Sequence, residues 1–584
     1  MLVENPLLMA DEDQQPFRDE ESLRFFFGLS SRDVATRSQA LDVITQTFEH
    51  WLDGYGSPTR EHSLSDNCND LPNKDIKKGQ SLVVEQLPEL LRLSLTCPFS
   101  DVRERCSSLL IRFEERGIRL PRTVKTEPTS FVPESEVQPV DCDDEETQSL
   151  FVDAFLQNNR LEHMVQVMGY HPEYLDCFLR TQHYMLRGDG PLPYEYRHYI
   201  AILAAARHQC SYLVKLHTTE FLLQGGDPQW LKGLDNIPQK LKDLNEVNKL
   251  LAHRPWLINK THIEKLTRGS DNWSMSEVMH ALVLLAHFHA LSSFIYGSGI
   301  NAEIDHENGH TFDPADKDDM IDEIEPQQEA NHENQLECHQ SGHGSVFNSN
   351  SASPNSFQDN GGGMIDTILM RMKKLTEEEP AETTQEEMLK RFEKVEHQSA
   401  QLPTSTSKPS PKADMLLYVD DADFTYEDFA MRGPVSKIPT FRAQDYTWED
   451  HGYSLANRLY TDIGTLIDDK FRIAYNLTYY TMGDNVDVDT SAFRRAIWNY
   501  IHCMFGIRHD DYDYGEVNIL LERSLKSYIK TVTCYPEQTT KKDYDSFMLE
   551  FKDSEKVHVN LMLLEARLQA ELLYALRAIT RYMT

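Results

Sequence analysis

The sequence contains few cysteines and no closely spaced pair of them. Nine cysteines occur in 584 residues, and no two stand at the C-x-x-C spacing of zinc ribbons and thioredoxin-like motifs. Residues 1–17 carry four acidic residues and no basic one, so they lack the positive start and the apolar stretch of a secretory signal. We therefore expect a reducing compartment, the cytoplasm or also the nucleus, with neither a disulfide framework nor a zinc finger.

Basic residues are also in short supply. The formal net charge is −36, from 58 Lys and Arg against 94 Asp and Glu. Nucleic acids and anionic membrane surfaces attract clusters of Lys and Arg, so the composition disfavours both as partners. The longest apolar run, 278–296, contains three histidines, which are costly in lipid. We predict a buried core helix there and no membrane insertion.

Common catalytic and metal-binding motifs are missing as well. The sequence has no G-x-x-x-x-G-K-[ST] phosphate-binding loop and no G-x-S-x-G nucleophile elbow. Four acidic residues lie close together between 510 and 516, but without the Asp-x-Asp-x-Asp-Gly spacing of a calcium loop. The sequence therefore predicts no metal and no cofactor.

Helical periodicity dominates the chain, and strand signals are scarce. The sequence predicts an all-α fold in four parts. These are a partly helical, partly disordered N-terminal extension (1–146), a first helical domain (147–300), an acidic, largely disordered linker (301–422) and a second helical domain (423–584). Between 301 and 420 the linker has 25 acidic and 9 basic residues, which favours disorder. Its island at 364–396 has the apolar spacing of a helix or helical hairpin.

Several helix boundaries are predicted from capping and breaking residues. Ser100 as N-cap and a glycine after Arg116 bound one helix. A longer helical stretch, 194–223, ends at a Gly-Gly-Asp-Pro breaker. Ser274 and Glu277 have the spacing of a capping box, in which each side chain accepts a hydrogen bond from a free backbone N–H.

Two sequence patterns occur once in each helical domain. Ser-Glu-x-x-His appears at 276–280 and again at 554–558, each time opening a Leu-rich helix. Arg-x-x-Ile appears at 197–200 and at 494–497. These pairs predict two similar all-α halves made by duplication, the alternative being chance similarity between amphipathic helices.

Five stretches of the sequence resemble the sestrin family. They are RHQCSYLV at 207–214, LAHRPWLI at 251–258, FRAQDYTW at 441–448, DDYDYGE at 510–516 and LYALRAITRYM at 573–583. The resemblance covers about 147–300 and 420–584. It implies two pseudo-symmetric halves, each like an AhpD-type alkylhydroperoxidase. It also implies a stress-induced leucine sensor that binds the GATOR complex and restrains TOR complex 1, with leucine releasing the partner.

The resemblance further implies a leucine pocket in the second half. A free amino acid presents a carboxylate, an ammonium group and a side chain, so its pocket needs a cation, an anion and an apolar floor. Arg494 matches the family's carboxylate-binding arginine, whose planar fork gives bidentate geometry, and Glu555 matches the ammonium-binding glutamate. The lid and latch are matched by Thr478, Tyr479, Thr481 and Thr490, and His171 matches a residue that approaches the lid.

The floor of this pocket departs from the family pattern. Met548 stands where vertebrate members have tryptophan, and Phe493 where they have leucine. One methylene in an apolar pocket changes discrimination by only about 1–3 kcal/mol. A flexible methionine can therefore retain binding while weakening or broadening the preference for leucine.

A second site is implied in the first half. Cys210, Tyr212 and His217 match the family's peroxidase-like triad, in which a thiolate attacks peroxide. The resolving cysteine of an AhpD-type enzyme would stand at Leu213, so turnover would be slow. From the residues alone, a cysteine in an apolar helix is usually a core residue.

The resemblance makes Asp510 and Asp511 contacts for the GATOR complex, on an exposed acidic patch suited to a basic partner surface. A solvated acidic turn is the alternative. Two other functions remain open for the whole chain. One is a weak alkyl hydroperoxide reductase that uses Cys210, and the other is a scaffold that does not respond to a ligand.

Overall fold

The computed structural model describes residues 20–53, 71–121, 127–268, 271–306, 363–377, 383–403, 412–433 and 438–584. Within these ranges the protein is helical, and its strands are two residues long. The predicted all-α class is confirmed. The acidic stretch 307–362, where most of the predicted linker disorder falls, lies outside the described residues.

The helices before the acidic stretch are α1 Glu20–Leu23, α2 Val34–Leu52, α3 Leu71–Thr96, α4 Ser100–Glu115, α5 Glu145–Asn158, α6 His163–Met168, α7 Pro172–Arg187, α8 Tyr194–Arg207, α9 Ser211–Leu223, α10 Gln239–His253, α11 Lys260–Thr267 and α12 Met275–Gly297. Those after it are α13 Met364–Glu377, α14 Gln385–Ala400, α15 Ala413–Leu416, α16 Tyr453–Leu459, α17 Ile463–Asn476, α18 Ser491–Met504, α19 Gly515–Leu520, α20 Arg523–Cys534, α21 Lys541–Asp545 and α22 Asp553–Met583. Strands β1 Phe441–Arg442 and β4 Ile507–Arg508 pair in parallel, and β2 Thr481–Met482 and β3 Asn485–Val486 form an antiparallel hairpin.

Two predicted boundaries differ from the structure. Helix α4 does end before Gly117, which has a φ of 80°, but its N-cap is Phe99, so Ser100 is the first helical residue and caps nothing. The stretch 194–223 is not one helix. Gln209 adopts a φ of 54°, which breaks the chain into α8 and α9 and makes Cys210 the N-cap of α9. Tertiary contacts select these breaks, which periodicity alone does not reveal.

Helices α12 and α22 pack against each other at the centre of the protein. Helix α12 is long and apolar enough to cross a membrane, but its whole apolar stretch is buried within the protein. The prediction of a buried core helix over 278–296 is confirmed, and so is the capping box of Ser274 and Glu277. One apolar core runs from Phe131 to Ile579 and includes residues from both predicted halves. The predicted domain boundaries stay a prediction.

The N-terminal helices α2 to α4 bury a second apolar cluster against each other and against Phe155 of α5. The predicted island in the linker is helical and packs on the second half. Ile365, Ile368 and Met372 of α13 and Phe392 of α14 are all buried in the main core. Both helices contact α19.

The repeated sequence patterns occupy corresponding places in the two halves. The Nε2 of His280 on α12 lies 2.9 Å from the carbonyl oxygen of Met185 on α7. The Nε2 of His558 on α22 lies 2.7 Å from the carbonyl oxygen of Ala474 on α17. The same hydrogen bond therefore joins the last helix of each half to the helix that precedes its buried arginine, as duplication predicts. The likeness of each half to an AhpD-type enzyme stays a prediction.

A buried ion pair of the second half is linked to the first half by a tyrosine. The Nζ of Lys470 on α17 lies 2.9 Å from Oε1 of Glu565 on α22, and neither side chain is exposed. Tyr174 of α7 donates its hydroxyl to the same carboxylate oxygen at 2.5 Å. Removing one member of such a pair leaves an uncompensated buried charge, which costs more than the pair contributes.

We expect Lys470→Met to lower the free energy of unfolding by about 3–5 kcal/mol, because Glu565 loses its cation. Adding Glu565→Gln should restore most of the loss, since the amide is neutral and still accepts from Tyr174. Urea unfolding of both variants measures the difference. A loss below about 1 kcal/mol in the single variant, typical of an exposed pair, would contradict this account.

Candidate functional site

Arg494 lies near the start of α18 and is 2% exposed. Its Nε donates to Oγ1 of Thr490 at 3.1 Å, and its Nη1 donates to the carbonyl oxygen of Tyr475. The guanidinium also lies over the rings of Tyr475 and Tyr479, at 4.8 and 4.5 Å from their centroids. Its Nη2 is buried and has no hydrogen-bond partner among the described residues.

Arg494 has no ion-pair partner among the described residues, and Asp489 acts on its charge only from beyond ion-pair distance. Within the described ranges no carboxylate lies at ion-pair distance from its guanidinium, and burial lowers the pKa of the group. A buried cation without an anion is costly, and an arginine fork is shaped to bind a carboxylate. The arrangement therefore favours an anionic ligand at this position.

Glu555 provides the opposite charge and is 5% exposed. It is the third residue of α22, and its carboxylate accepts from the backbone N–H of Lys552 and of Gly483, each at 3.0 Å. The positive end of the helix dipole also favours a negative charge here. No basic side chain of the described residues lies at ion-pair distance from it. Glu555 can thus accept an ammonium group.

Both charged side chains line one cavity of about 20 Å³. Its walls are formed by Thr478, Thr481, Met482, Thr490, Phe493, Arg494, Ile497, Met548, Phe551, Glu555, His558, Val559 and Met562. The altered floor residues Met548 and Phe493 are thus both in its wall. A cavity of this size has room for little more than one water molecule, so a larger ligand enters only if the wall moves.

The lid over this cavity is the segment 478–490, which contains the β2–β3 hairpin. Thr490 donates its hydroxyl toward the carbonyl oxygens of Thr478 and Tyr479, at 3.1 and 3.0 Å, and so fastens the start of the lid to α18. The hydroxyl of Thr478 lies 2.6 Å from Nδ1 of His558. Burial lowers the pKa of His558 to about 3, so its imidazole is neutral and Nδ1 accepts this hydrogen bond.

His171 reaches this site from the first half. It is the N-cap of α7, and its Nε2 lies 2.8 Å from the carbonyl oxygen of Ser554, next to Glu555. Its ring centroid is 5.8 Å from that of His558. Burial lowers the pKa of His171 to about 4, so the neutral ring donates to this carbonyl. The two halves therefore meet beside the lid.

The corresponding side chains in the first half have their hydrogen-bond partners within the protein. Arg197 donates to backbone carbonyl oxygens of its own half, including those of Gly188 at 2.6 Å and Leu192 at 2.9 Å. Glu277 forms an ion pair of 2.8 Å with Lys240. Peptide carbonyls therefore accept from Arg197, and a lysine pairs with Glu277. Of the two related arginines, Arg494 is the one with a buried nitrogen that has no hydrogen-bond partner among the described residues.

The structure does not join Cys210, Tyr212 and His217 by hydrogen bonds among its described residues. Tyr212 donates to Oε1 of Glu303 at 2.7 Å, and Nδ1 of His217 lies 3.1 Å from Nδ1 of His198. Cys210 is fully buried, and burial raises the pKa of its thiol to about 11. The thiol is therefore overwhelmingly protonated near pH 7, a poor state for attack on peroxide. The catalytic role of these residues stays a prediction.

Asp510 and Asp511, the predicted partner contacts, differ in exposure. Asp511 is exposed, whereas the Asp510 side chain is 11% exposed and forms ion pairs with Arg442 and Arg508. The expected exposed acidic patch is therefore partly neutralised at Asp510. Within the described part of the chain, no group of three or more His, Cys, Asp or Glu side chains could hold a metal ion.

Comparison with known proteins assigns the family. A family model described as PA26 p53-induced protein (sestrin) matches residues 127–583. Sestrin-1 of Xenopus laevis is 50% identical over 85% of this chain and 100% of its own length. Mouse Sestrin-3 is 52% identical over 81% of this chain and 95% of its own length, and human Sestrin-2 is 50% identical over 81% and 93%.

This chain belongs to the sestrin family. Among the residues that sequence reasoning missed, three contact predicted residues of the pocket. Tyr475 contributes both a ring face and a carbonyl to Arg494, Gly483 donates its N–H to Glu555, and His558 holds Thr478. His558 had a sequence signal, since it ends the repeated Ser-Glu-x-x-His pattern. Gly483 acts through its backbone N–H, which carries no side-chain signature, and no repeated pattern marks Tyr475.

We expect Cys210 to react slowly with a maleimide at pH 7 in this sestrin, because its thiol is buried and its pKa is about 11. Mass spectrometry of the labelled peptide gives the rate, and the same protein unfolded in urea gives the reference. Rapid labelling of folded protein at Cys210 would contradict the buried, protonated thiol and strengthen the peroxidase hypothesis.

Proposed function

We propose that this sestrin is an intracellular leucine sensor of the cytoplasm or also the nucleus. In this proposal it binds the GATOR complex and thereby restrains TOR complex 1 signalling, and leucine releases the partner. The observation that carries the proposal is one buried pocket holding a cation, Arg494, and an anion, Glu555, neither of them paired with an opposite side chain among the described residues.

A free α-amino acid carries the two charged groups that would pair with Arg494 and Glu555. Its carboxylate can accept from Nη2 of Arg494, and its ammonium can donate to the carboxylate of Glu555. The remaining wall is largely apolar, with Phe493, Met548 and Met562 facing the cavity. An aliphatic side chain such as leucine's suits that wall. The flexible methionines predict that methionine and isoleucine bind too, but more weakly than leucine.

The lid connects the pocket to the protein surface, so ligand binding can affect a partner there. The hydroxyls of Thr478 and Thr490 and the N–H of Gly483 connect the lid to α22 and α18, which carry the charged groups of the pocket. In the second half, α18 also leads to β4 and the loop that carries the exposed Asp511. A ligand that repositions the lid could alter this surface. Each tenfold change in partner affinity requires about 1.4 kcal/mol of coupling.

The peroxidase alternative has less support. The buried Cys210 thiol, with its raised pKa, and the hydrogen bonds of Tyr212 and His217 to other residues do not favour rapid attack on peroxide.

Titration calorimetry of leucine tests the proposal. We expect one site per chain, because Arg197 and Glu277 of the first half already have their partners within the protein. Arg494→Ala should weaken binding by at least about 30-fold, the loss typical for one partner of a buried charge pair. Arg494→Lys should also bind weakly, since it keeps the charge and loses the fork. Isoleucine and methionine serve as comparators.

The matched control is Arg495→Ala. Arg495 is the next residue on the same helix, but its side chain is exposed and lies over the ring of Tyr512. The Arg495→Ala substitution should leave leucine binding unchanged. Wild-type binding that survives Arg494→Ala, or a stoichiometry of two, would overturn the proposed pocket.

A further inference from the structure

The first turn of α13 is capped by a side chain that neighbours the pocket wall in the sequence. The carboxylate of Glu550 accepts from the backbone N–H groups of Met364 and Ile365, both at 2.9 Å. These are free donors at the start of a helix, and a carboxylate placed there acts as a cap supplied from elsewhere in the chain. Glu550 lies between Met548 and Phe551, which both line the cavity. The start of α13 is therefore attached to the outside of that wall.

The same end of α13 also touches the lid. Gly483, at the turn of the β2–β3 hairpin, has a φ of 60°. A β-carbon at this glycine would overlap Cδ1 of Ile365 and would lie 3.1 Å from the carbonyl oxygen of Glu550. Ile365 is 6% exposed, so its side chain is packed between α13 and the lid.

Gly483 also donates its N–H to both carboxylate oxygens of Glu555 on the inner side of the lid. The hairpin turn is thus held on one side by Ile365 and on the other by the anion of the pocket. Any outward movement of the turn must break the contact with α13 or the hydrogen bonds to Glu555. The cavity is too small for a ligand larger than water unless such a movement occurs.

We propose that Ile365 and Glu550 are positioning residues of the amino-acid pocket, and that α13 clamps the lid over it. The identity of the ligand rests on the proposed function, whereas the contact between α13 and the lid does not.

The clamp predicts an effect on the lid without any ligand. Glu550→Gln weakens the cap of α13, and Ile365→Val deletes only the methyl group that touches Gly483. In both variants, amide hydrogen exchange of the lid segment 478–490 should be about fivefold faster, the size expected for the loss of one helix-cap interaction. Exchange measured by mass spectrometry on the full chain reports this change.

Two control variants make the same chemical changes elsewhere on α13. Ile368→Val deletes a methyl group from a side chain that is 1% exposed, one turn further along the helix. Glu377→Gln neutralises an exposed carboxylate at the other end of α13. Neither should change exchange in the lid. Unchanged lid exchange in both Glu550→Gln and Ile365→Val would overturn the clamp, whether or not leucine binds.

The second measurement connects the clamp to the ligand. Leucine should dissociate about fivefold faster from the two test variants than from the controls, because the lid that retains it is less firmly held. Leucine should in turn slow exchange at the start of α13, since coupling between two sites is reciprocal. If wild-type protein binds no leucine, the proposed function fails while the exchange result still decides the clamp. If leucine binds and dissociates equally fast from all variants, the positioning role is wrong.

Discussion

The charges buried on α22 impose the constraint on which the rest of this structure depends. Glu565 pairs with Lys470, Glu571 lies 2.8 Å from Nδ1 of His289 on α12, and Arg567 donates to Glu571 and to the backbone and side chains around it. Burying an ion without a partner is costly, so these contacts fix α22 against both halves at one position along its axis. The first turn of the same helix carries Glu555, and its place in the pocket is therefore set by ion pairs far along the helix.

Under the duplication hypothesis, the asymmetry of the two halves is a result of divergence. Each half contains a buried arginine. Each half also has a glutamate at the start of its last helix. In the first half, Arg197 is satisfied by carbonyl oxygens and Glu277 by Lys240. In the second half, neither Arg494 nor Glu555 has an ion-pair partner among the described residues, and the β2–β3 hairpin contributes to the wall of the cavity that they line. In the first half the chain itself supplies the partners, whereas under the proposed function a ligand supplies them in the second half.

The sequence predicts the helical class and the buried helix α12, because these depend on periodicity. It also predicts the two charged residues of the pocket, Arg494 and Glu555, because these match the family. It does not predict the break at Gln209 or the start of α4 at Ser100, since these local choices are decided by packing. The apolar face of α13 was visible in the sequence, but its docking against Gly483 was not. That contact joins residues far apart in the chain and involves a glycine with no side chain to mark it.

The central claim is that one pocket binds a zwitterion because each of its two buried charges needs a partner. The most direct test compares the rise in melting temperature given by leucine with that given by leucinamide, which lacks the carboxylate, and by 4-methylpentanoate, which lacks the ammonium group. The account predicts that leucine stabilises the protein and that each analogue, which leaves one buried charge unpaired, stabilises it far less. Equal stabilisation by leucine and either analogue would contradict it.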